Sequence, residues 1–268
     1  MNDSRPLAGH DLFETDPVLG AVLDGVADGD ALSALRTLGA WWGSPEAEEV
    51  ARLAASHRPI LHAFDAAGER LDEVEHHPAY HALLNRSTAA GLASSAWEED
   101  PAGRRRQHRL RAAALYVSSQ GEPCHLDALG LTHAGIAALA AAPDLEAELF
   151  PSLASRRYDR RVLPVSEKDG ASLAIALAER RSGSDLSSVL SLAEPLSDDI
   201  YAVTGRKWFV TAPMADIHLA LAGTRDGPSC FLLPRVLPDG SRNRIHLLRL
   251  KETAGSGIVA IAEVEYAG

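Results

Sequence analysis

Two short stretches in the second half of the chain combine glycine, hydroxyl and aromatic residues in an order that suits ligand binding. Gly183 and Ser184 follow each other in a polar turn, and Trp208, Phe209 and Thr211 lie in a run with strand-like alternation. A glycine next to a hydroxyl residue offers backbone N–H groups and an O–H group to a phosphate or a ring carbonyl. Because alternate residues of a strand point the same way, Phe209 and Thr211 are predicted on one face and Trp208 on the other. The alternatives are an ordinary hairpin turn and, for the aromatic rings, packing in a core.

The elements that would position these residues are predicted from the hydrophobic periodicity. Residues 173–213 contain three strand-like runs joined by two polar turns, which predicts an antiparallel platform. N-terminal to it the apolar residues recur with a helical period, and the period changes near Pro164. The sequence therefore predicts an α+β fold, with a helical N-terminal domain over residues 1–165 and a β-domain over residues 166–268.

Individual elements are predicted from local signals. Ser44-Pro45-Glu46 has the composition of a helix start, with a capping hydroxyl, proline at the first position and an acid in the first turn. The other predicted segments are an irregular lead up to Ala27, a loop over residues 65–72, a helix from about Pro78 to about Trp97, a helix from about Arg104 to Ser118, and a closing strand from Ile258 to Tyr266.

Several motifs of the chain resemble those of the acyl-CoA dehydrogenase family. Glu179 precedes Gly183-Ser184-Asp185, and Gly205-Arg206-Lys207-Trp208-Phe209 follows about twenty residues later, in the order of the family signature T-E-x-x-x-G-S-D and G-x-K-x-W-x-T. The chain looks like the AidB-like branch of that family, the flavoproteins of the alkylation-damage response. The segments that carry this second resemblance are residues 77–81, 96–100, 229–235, 238–243 and 249–251.

The resemblance implies the first two of the family's three domains, a helical domain followed by an antiparallel β-barrel-like domain, and FAD as the cofactor. By position it implies that Gly183 and Ser184 contact FAD and that Phe209 and Thr211 lie against the flavin ring. Trp208 is a further candidate, because members of the AidB-like branch keep a Trp-Phe pair here.

Two departures from the family pattern weaken the expected cofactor site. Ala178 stands where the family usually has a threonine, so one hydroxyl donor to the flavin is lost. The chain also stops about where the family's β-domain ends, so we expect the C-terminal helical domain, with the family's catalytic glutamate, to be absent. We therefore assign no catalytic residue and expect FAD to bind weakly or substoichiometrically to the isolated chain.

The resemblance leads to one functional hypothesis and two alternatives. The hypothesis is an FAD-binding oxidoreductase-type protein that acts on an acyl-CoA-like small molecule and needs a partner or the absent domain for catalysis. The alternatives are a non-catalytic interaction subunit or pseudoenzyme, and an AidB-like protein of the DNA alkylation-damage response. A homo-oligomer or a separately encoded helical partner is expected.

The composition argues against a nucleic-acid partner and a membrane location. The net charge is −11. Because electrostatic binding to the phosphate backbone of DNA requires clustered cations, we do not expect DNA binding. The arginines between positions 104 and 111 are interpreted as a solvated helix face. Two distant cysteines, Cys124 and Cys230, do not indicate a disulfide framework. With no signal-peptide pattern and no apolar run of membrane-spanning length, a cytoplasmic location is predicted.

Three histidines between His76 and His81 could suggest a metal site. Pro78 interrupts the first helical turn there, and no H-E-x-x-H arrangement accompanies them. We therefore favour structural roles for these histidines.

Overall fold

Most helices in the first part of the chain begin at a residue that caps them. The computed structural model describes residues 9–197, 199–255 and 257–268. The side chains of Asp16, Asp28, Ser44 and Asp100 accept hydrogen bonds from backbone N–H groups of the first turn, which otherwise have no partner within the helix. Ser44 thus caps its helix as predicted. The helices of the described residues are α1 (Pro17–Leu23), α2 (Gly29–Trp42), α3 (Pro45–Ala55), α4 (Pro78–Ala89), α5 (Pro101–Gly121), α6 (Leu126–Leu139) and α7 (Pro143–Leu153).

Four predictions for this part of the chain are corrected. The predicted irregular lead contains α1, while its first eight residues lie outside the described part. The predicted loop over residues 65–72 is the turn and the start of the second strand of a hairpin, formed by β1 (Ile60–Phe64) and β2 (Arg70–Glu75). Helix α4 ends at Ala89 rather than near Trp97, since the chain turns at Gly91 with a φ of 76°. Helix α5 begins earlier than predicted because Asp100 caps it.

The second part of the chain is one curled sheet. Its strands in the described residues are β3 (Leu173–Ala176), β4 (Leu192–Ser197), β5 (Ile200–Thr211), β6 (Ile217–Thr224), β7 (Gly227–Pro234), β8 (Ile245–Leu250) and β9 (Ile261–Ala267). The strand order is β3-β6-β4-β5-β9-β8, and β7 pairs with β6. The architecture confirms the predicted α+β class, a helical domain followed by a mainly antiparallel half-barrel. The domain boundary after residue 165 stays a prediction.

The prediction that residues 173–213 form three consecutive antiparallel strands is wrong for the first strand, β3. Strand β3 pairs with β6 in parallel, with Leu173 opposite Ile217 and Ala176 opposite Ala220. Strand β4, its predicted antiparallel neighbour, pairs with β5 instead. Strands β3 and β4 pair with β6 one after the other, β3 at residues 217–220 and β4 at Gly223, while β7 pairs with β6 over its whole length.

Buried apolar side chains form a cluster in each domain and a third at their junction. Helices α6 and α7 contribute Ile136, Leu139 and Leu153 to the third cluster, and strands β3 and β6 contribute Leu173 and Ile217. Hydrogen bonds also connect the domains, including two from backbone N–H groups of the sheet. The Leu173 N–H donates to Thr132 Oγ1 at 3.1 Å, and the N–H of Leu247 on β8 donates to Asp72 Oδ1 at 2.7 Å.

Candidate functional site

The two halves of the signature lie side by side in the β-domain. On β5, the backbone N–H of Trp208 donates to the carbonyl of Ala178 at 2.8 Å. Immediately after Ala178, Glu179 and Ser182 pair as an isolated antiparallel bridge, which closes a tight turn. The exposed segment that begins at Gly183 therefore starts next to the strand that carries Trp208.

A buried ion pair fixes this turn. The Nζ of Lys207 lies 2.7 Å from Glu179 Oε1, and both side chains are almost completely buried. The carboxylate of Glu179 also accepts hydrogen bonds from the backbone N–H groups of Leu190 and Ser191 and from the Ser191 hydroxyl, at 2.8, 2.9 and 2.6 Å. Burial acts to raise the pKa of Glu179, but the hydrogen bonds from Lys207 and Ser191 outweigh it, so this pKa lies below its usual value. Glu179 and Lys207 belong to the signature, but their pairing was not predicted, because it joins residues that are far apart in the chain.

Gly183 and Ser184 are exposed in this turn. The φ of Gly183 is not positive, and a Cβ added there would meet nothing within 4 Å. Neither the backbone conformation nor packing within the chain therefore requires a glycine, and a ligand could approach this backbone closely. Among the described residues, no hydrogen bond involves the Ser184 hydroxyl.

A β-bulge changes the predicted orientation of the aromatic pair. The pairing of β5 with β9 shifts between Lys207 and Val210, so two residues of β5 face one residue of β9. As a result, Trp208 and Phe209 both lie on the outer side of the sheet, with ring centroids 6.2 Å apart. The prediction that Trp208 points away from Phe209 is wrong. Thr211 is half-buried and shares the outer side with Phe209.

Three cations surround the Trp208 ring. The Nζ of Lys251 lies 3.2 Å from the ring centroid, and the guanidinium carbons of Arg249 and Arg180 lie 5.4 and 5.7 Å from it, within the range of cation–π attraction. Arg249 and Lys251 share the carboxylate of Glu263 at 2.9 and 3.4 Å, whereas Arg180 has no ion pair with a described residue. The outer surface at Trp208 is therefore aromatic and positively charged.

The groups on this surface have the chemistry that a flavin nucleotide requires. Phe209 presents an aromatic ring that is 53% exposed, which suits stacking against a planar ring system. The hydroxyls of Ser184 and Thr211 make no hydrogen bond to another described residue and can donate to a ligand. The open backbone at Gly183 and the guanidinium of Arg180 suit phosphates. The residues present fit FAD.

A cavity between the two domains was not predicted from the sequence. Its volume is about 290 Å³, and its walls come from α4, α6, residues 153–162, the start of β3 and residues 212–216. Inside it, the ring of His76 stacks on Tyr80, and Nδ1 of His81 lies 2.7 Å from the hydroxyl of Tyr158. The histidines at positions 76 and 81 lie in its wall, but the cavity could not be predicted from them because the residues on its other side are distant in sequence.

The structure gives the neighbouring His77 a local role. Its Nδ1 accepts a hydrogen bond from the Ala79 N–H at 3.2 Å and so caps α4. Over residues 9–197, 199–255 and 257–268, no group of three or more side chains is arranged to hold a metal ion. In the same residues, none of the helices combines the length and apolar character needed to span a membrane.

Comparison with known families identifies both domains. Residues 2–160 match the family described as the adaptive response protein AidB N-terminal domain, and residues 174–267 match the middle domain of acyl-CoA dehydrogenases. The chain belongs to the acyl-CoA dehydrogenase family, in its AidB-like branch. These matches confirm the resemblance indicated by the motifs, and they follow each other in the same order as the helical and β-domains.

Individual relatives agree with this assignment. The putative acyl-CoA dehydrogenase AidB of Escherichia coli is 36% identical over 274 residues, which cover 99% of this chain and 49% of that protein. Acyl-CoA dehydrogenase family member 11 of Caenorhabditis elegans is 28% identical over 82% of this chain and 36% of its own length. The crystal structure of ACDH-11 from the same organism, in complex with C11-CoA, superimposes with a TM-score of 0.85 at 24% identity, covering 100% of this chain and 47% of that chain. The chain thus spans about half the length, or less, of these relatives.

Proposed function

We propose that this chain forms the helical and β-domains of an FAD-binding oxidoreductase of the acyl-CoA dehydrogenase type. The observation that carries the proposal is the buried pair of Lys207 and Glu179. It holds the turn that leads to Gly183 against the strand that carries Phe209, and it leaves the outer surface of both open to a ligand.

When bound, FAD supplies the hydride-accepting chemistry of this family. The residues of this chain would bind and orient the cofactor. Phe209 would contact the ring face, the hydroxyls of Ser184 and Thr211 would donate hydrogen bonds, and the backbone at Gly183 would approach a phosphate. Trp208 would keep the cations next to it in place. No residue of the chain is assigned as the general base.

Affinity for FAD is expected to be low in this chain alone. Ala178 lacks the hydroxyl usual at its position, and the loss of one hydrogen bond typically costs about 1 kcal/mol. Since about 1.4 kcal/mol corresponds to tenfold in affinity, the loss of two or three such contacts produces a protein that is purified with little or no flavin.

An acyl-CoA-like molecule is the proposed substrate class. It is supported by the family of the chain and by the C11-CoA that ACDH-11 binds. Catalysis is proposed to need residues that the 268-residue chain does not contain, supplied by a partner or a further domain. A cytoplasmic location stays a prediction.

A second candidate function, a non-catalytic interaction subunit, is supported by exposed apolar side chains along the antiparallel hairpin of β4 and β5. The side chains of Leu190, Leu192, Leu196 and Ile200 are each more than half exposed, and a cluster of this kind usually marks a protein contact. A homo-oligomer or a separately encoded helical partner would cover it. Light scattering distinguishes these states, and a strictly monomeric particle with no affinity for a partner would contradict this candidate.

A DNA-binding role ranks third. Arg106 of the arginine cluster is paired with Asp28 at 2.5 Å, and Arg111 donates to the Leu92 carbonyl at 2.6 Å, so both are already engaged within the protein. The net charge of −11 also opposes binding to phosphate backbones.

A titration with FAD, followed by the quenching of flavin fluorescence, tests the main proposal. We expect wild-type protein to bind, and Ser184→Ala and Thr211→Ala to bind several-fold more weakly. Ser119→Ala, on the exposed surface of α5, is the matched control and should bind like wild type. Equal affinity in all four proteins would show that these residues do not hold FAD. A yellow preparation with stoichiometric flavin would contradict the expected low affinity but not the proposal that the chain binds FAD.

A further inference from the structure

A groove on the helical domain lies between helices α2, α4 and α5. Its volume is about 940 Å³, which is near the upper end of the range of roughly 300–1,000 Å³ usual for small-molecule sites. The buried side chains of Leu35, Leu38 and Leu92 form its floor, and six of the other lining residues are alanines. Because alanine side chains are short, the groove has room for an apolar chain.

Arg111 of α5 places a positive charge in the wall of this groove. Its Nε donates to the Leu92 carbonyl at 2.6 Å, which holds the side chain in place. Within the described residues, Arg111 has no ion pair, and its Nη1 and Nη2 donate no hydrogen bond. The described polar atoms that are both buried and unpaired do not include these two nitrogens, so both are reachable by solvent. The two-nitrogen end of the guanidinium is therefore free to bind a ligand.

This charge has no counter-ion in the described part of the chain. Burial lowers the pKa of Arg111 to about 10, and no acidic side chain opposes this shift, yet the residue still carries its charge at neutral pH. A partly buried charge without a counter-ion is unfavourable, so an anion at Nη1 and Nη2 would compensate it. Two parallel N–H groups match the two oxygens of a carboxylate.

The neighbouring arginines limit the charge of such an anion to one. Arg106 pairs with Asp28 at 2.5 Å, and Arg156 pairs with Glu98 at 2.7 Å. Arg111 alone then remains to neutralise the ligand at this part of the groove. A carboxylate carries a single charge, whereas a phosphate monoester carries about −1.5 to −2 at neutral pH. The balance of charges therefore favours a monocarboxylate.

The remaining acidic residues of the groove lie away from Arg111. Asp30 and Glu46 are exposed in the first turns of α2 and α3. Burial lowers the pKa of Arg86, and Glu46 acts against that shift, so this acid lies near Arg86 instead. Glu99 accepts a hydrogen bond from Gln107 at 3.3 Å. These groups make the rim polar and leave the charge of Arg111 uncompensated.

We propose that this groove binds a straight-chain monocarboxylate, with the carboxylate on Nη1 and Nη2 of Arg111 and the apolar chain along Leu35 and Leu38. The inference does not depend on flavin binding, because the residues proposed to contact FAD do not line the groove. A result that contradicts one proposal therefore leaves the other standing.

Octanoate and octylammonium provide a matched pair of probes with equal chain length and opposite charge. Isothermal titration calorimetry on the full chain, near pH 7 and at low ionic strength, measures their dissociation constants. We expect octanoate to bind at least about tenfold more tightly, although the net charge of −11 favours the cation elsewhere on the surface. Hexanoate, which is two methylenes shorter, should bind several-fold more weakly than octanoate.

Two variants and a control assign the binding to this groove. Arg111→Met removes the charge and should weaken octanoate binding about tenfold, whereas Arg109→Met, exposed on the same helix and outside the groove, should bind like wild type. Ala34→Phe fills the groove, keeps Arg111 and should also weaken binding, so it decides the matter if Arg111→Met does not fold. No binding of octanoate, equal affinity for octylammonium, an affinity independent of chain length, or unchanged binding in either groove variant would each overturn the proposal.

Discussion

The carboxylate of Asp72 in the β1–β2 hairpin accepts a hydrogen bond from the backbone N–H of Leu247, 175 residues further along the chain. Asp72 is 8% exposed and Leu247 is 1% exposed, so water cannot replace this bond readily. Arg70 binds the same carboxylate through two nitrogens, each at 2.9 Å. The hairpin of the helical domain is thereby attached to β8, the last strand of the sheet order.

Replacing Asp72 with alanine should destabilise the junction of the domains. The substitution leaves the Leu247 N–H buried and unpaired, and it places alanine at a φ of 48°, so we expect a loss of about 2–3 kcal/mol in the free energy of unfolding. Urea denaturation measures it. Asp72→Asn keeps an acceptor oxygen and tolerates this φ, so its loss should be clearly smaller; equal losses would rule out the hydrogen bond as the cause.

The buried pair of Glu179 and Lys207 provides a second prediction. Lys207→Met leaves the Glu179 carboxylate buried without its cation, which should lower the free energy of unfolding by about 3–5 kcal/mol. Arg206→Met, on the same strand, removes an exposed ion pair with Glu265 and should cost at most about 1 kcal/mol. Thermal and urea unfolding of both variants test this difference, and similar losses would argue against the importance of burial.

Two glycines of helix α6 should respond in opposite directions to substitution by alanine. A Cβ at Gly135 would overlap the side chain of Leu173 on β3, whereas a Cβ at Gly130 would meet nothing within 4 Å. Gly135→Ala is therefore expected to destabilise the junction of helix and sheet by about 1–3 kcal/mol. Gly130→Ala should stabilise the protein by up to about 1 kcal/mol, because alanine is the better helix former. A stabilising Gly135→Ala would contradict the close packing of α6 on β3.

Acid should destabilise the protein partly through His218. This fully buried ring lies 2.9 Å from the Pro213 carbonyl through Nε2 and 3.0 Å from the Tyr266 hydroxyl through Nδ1. The carbonyl can only accept, so Nε2 carries the proton, and Nδ1 accepts from Tyr266 in the neutral ring. Burial lowers the pKa of His218 to about 4, from an ordinary value near 6.5.

The sign of the pH effect follows from proton uptake. Between pH 6.5 and 4 the unfolded chain binds a proton at His218 that the folded protein does not, so stability is fully present above this window and is lost as the pH falls through it. We expect about 1–3 kcal/mol from this residue. The measurement is the free energy of unfolding at pH 7, 6, 5 and 4.5 for wild type and His218→Asn. The variant should show the weaker dependence on pH, and identical slopes would disprove the assignment. His62→Asn, at an exposed site, serves as the control.

Local sequence signals were sufficient for the elements that depend on neighbouring residues. The capped start at Ser44 and the change of period near Pro164 are such signals, and the motifs around Gly183 and Trp208 identified the family. The same motifs could not show that Glu179 and Lys207 form a buried pair, because a sequence pattern does not specify which polar residues meet.

Features that depend on distant pairing could not be predicted. Strand β3 alternates like any half-buried strand, yet its partner is β6 and the pairing is parallel. The cavity between the domains is lined by side chains from both of them, and only the folded chain brings these together. The prediction of the Trp208 orientation was wrong for a local reason. Nothing in the residue types from Lys207 to Val210 distinguishes a β-bulge from a regular strand.

This bulge reverses the inside–outside parity of β5. Before it, the odd-numbered Val203 and Lys207 face the core, and after it the even-numbered Val210 and Ala212 are buried. Deletion of one residue at position 208 or 209 would leave a single residue between Lys207 and Val210, so regular alternation would be restored with Val210 and Thr211 on their present faces. The extra residue is therefore what places two consecutive aromatic side chains on the same side of the sheet, and a relative that is one residue shorter here would present a single side chain next to the residue equivalent to Thr211.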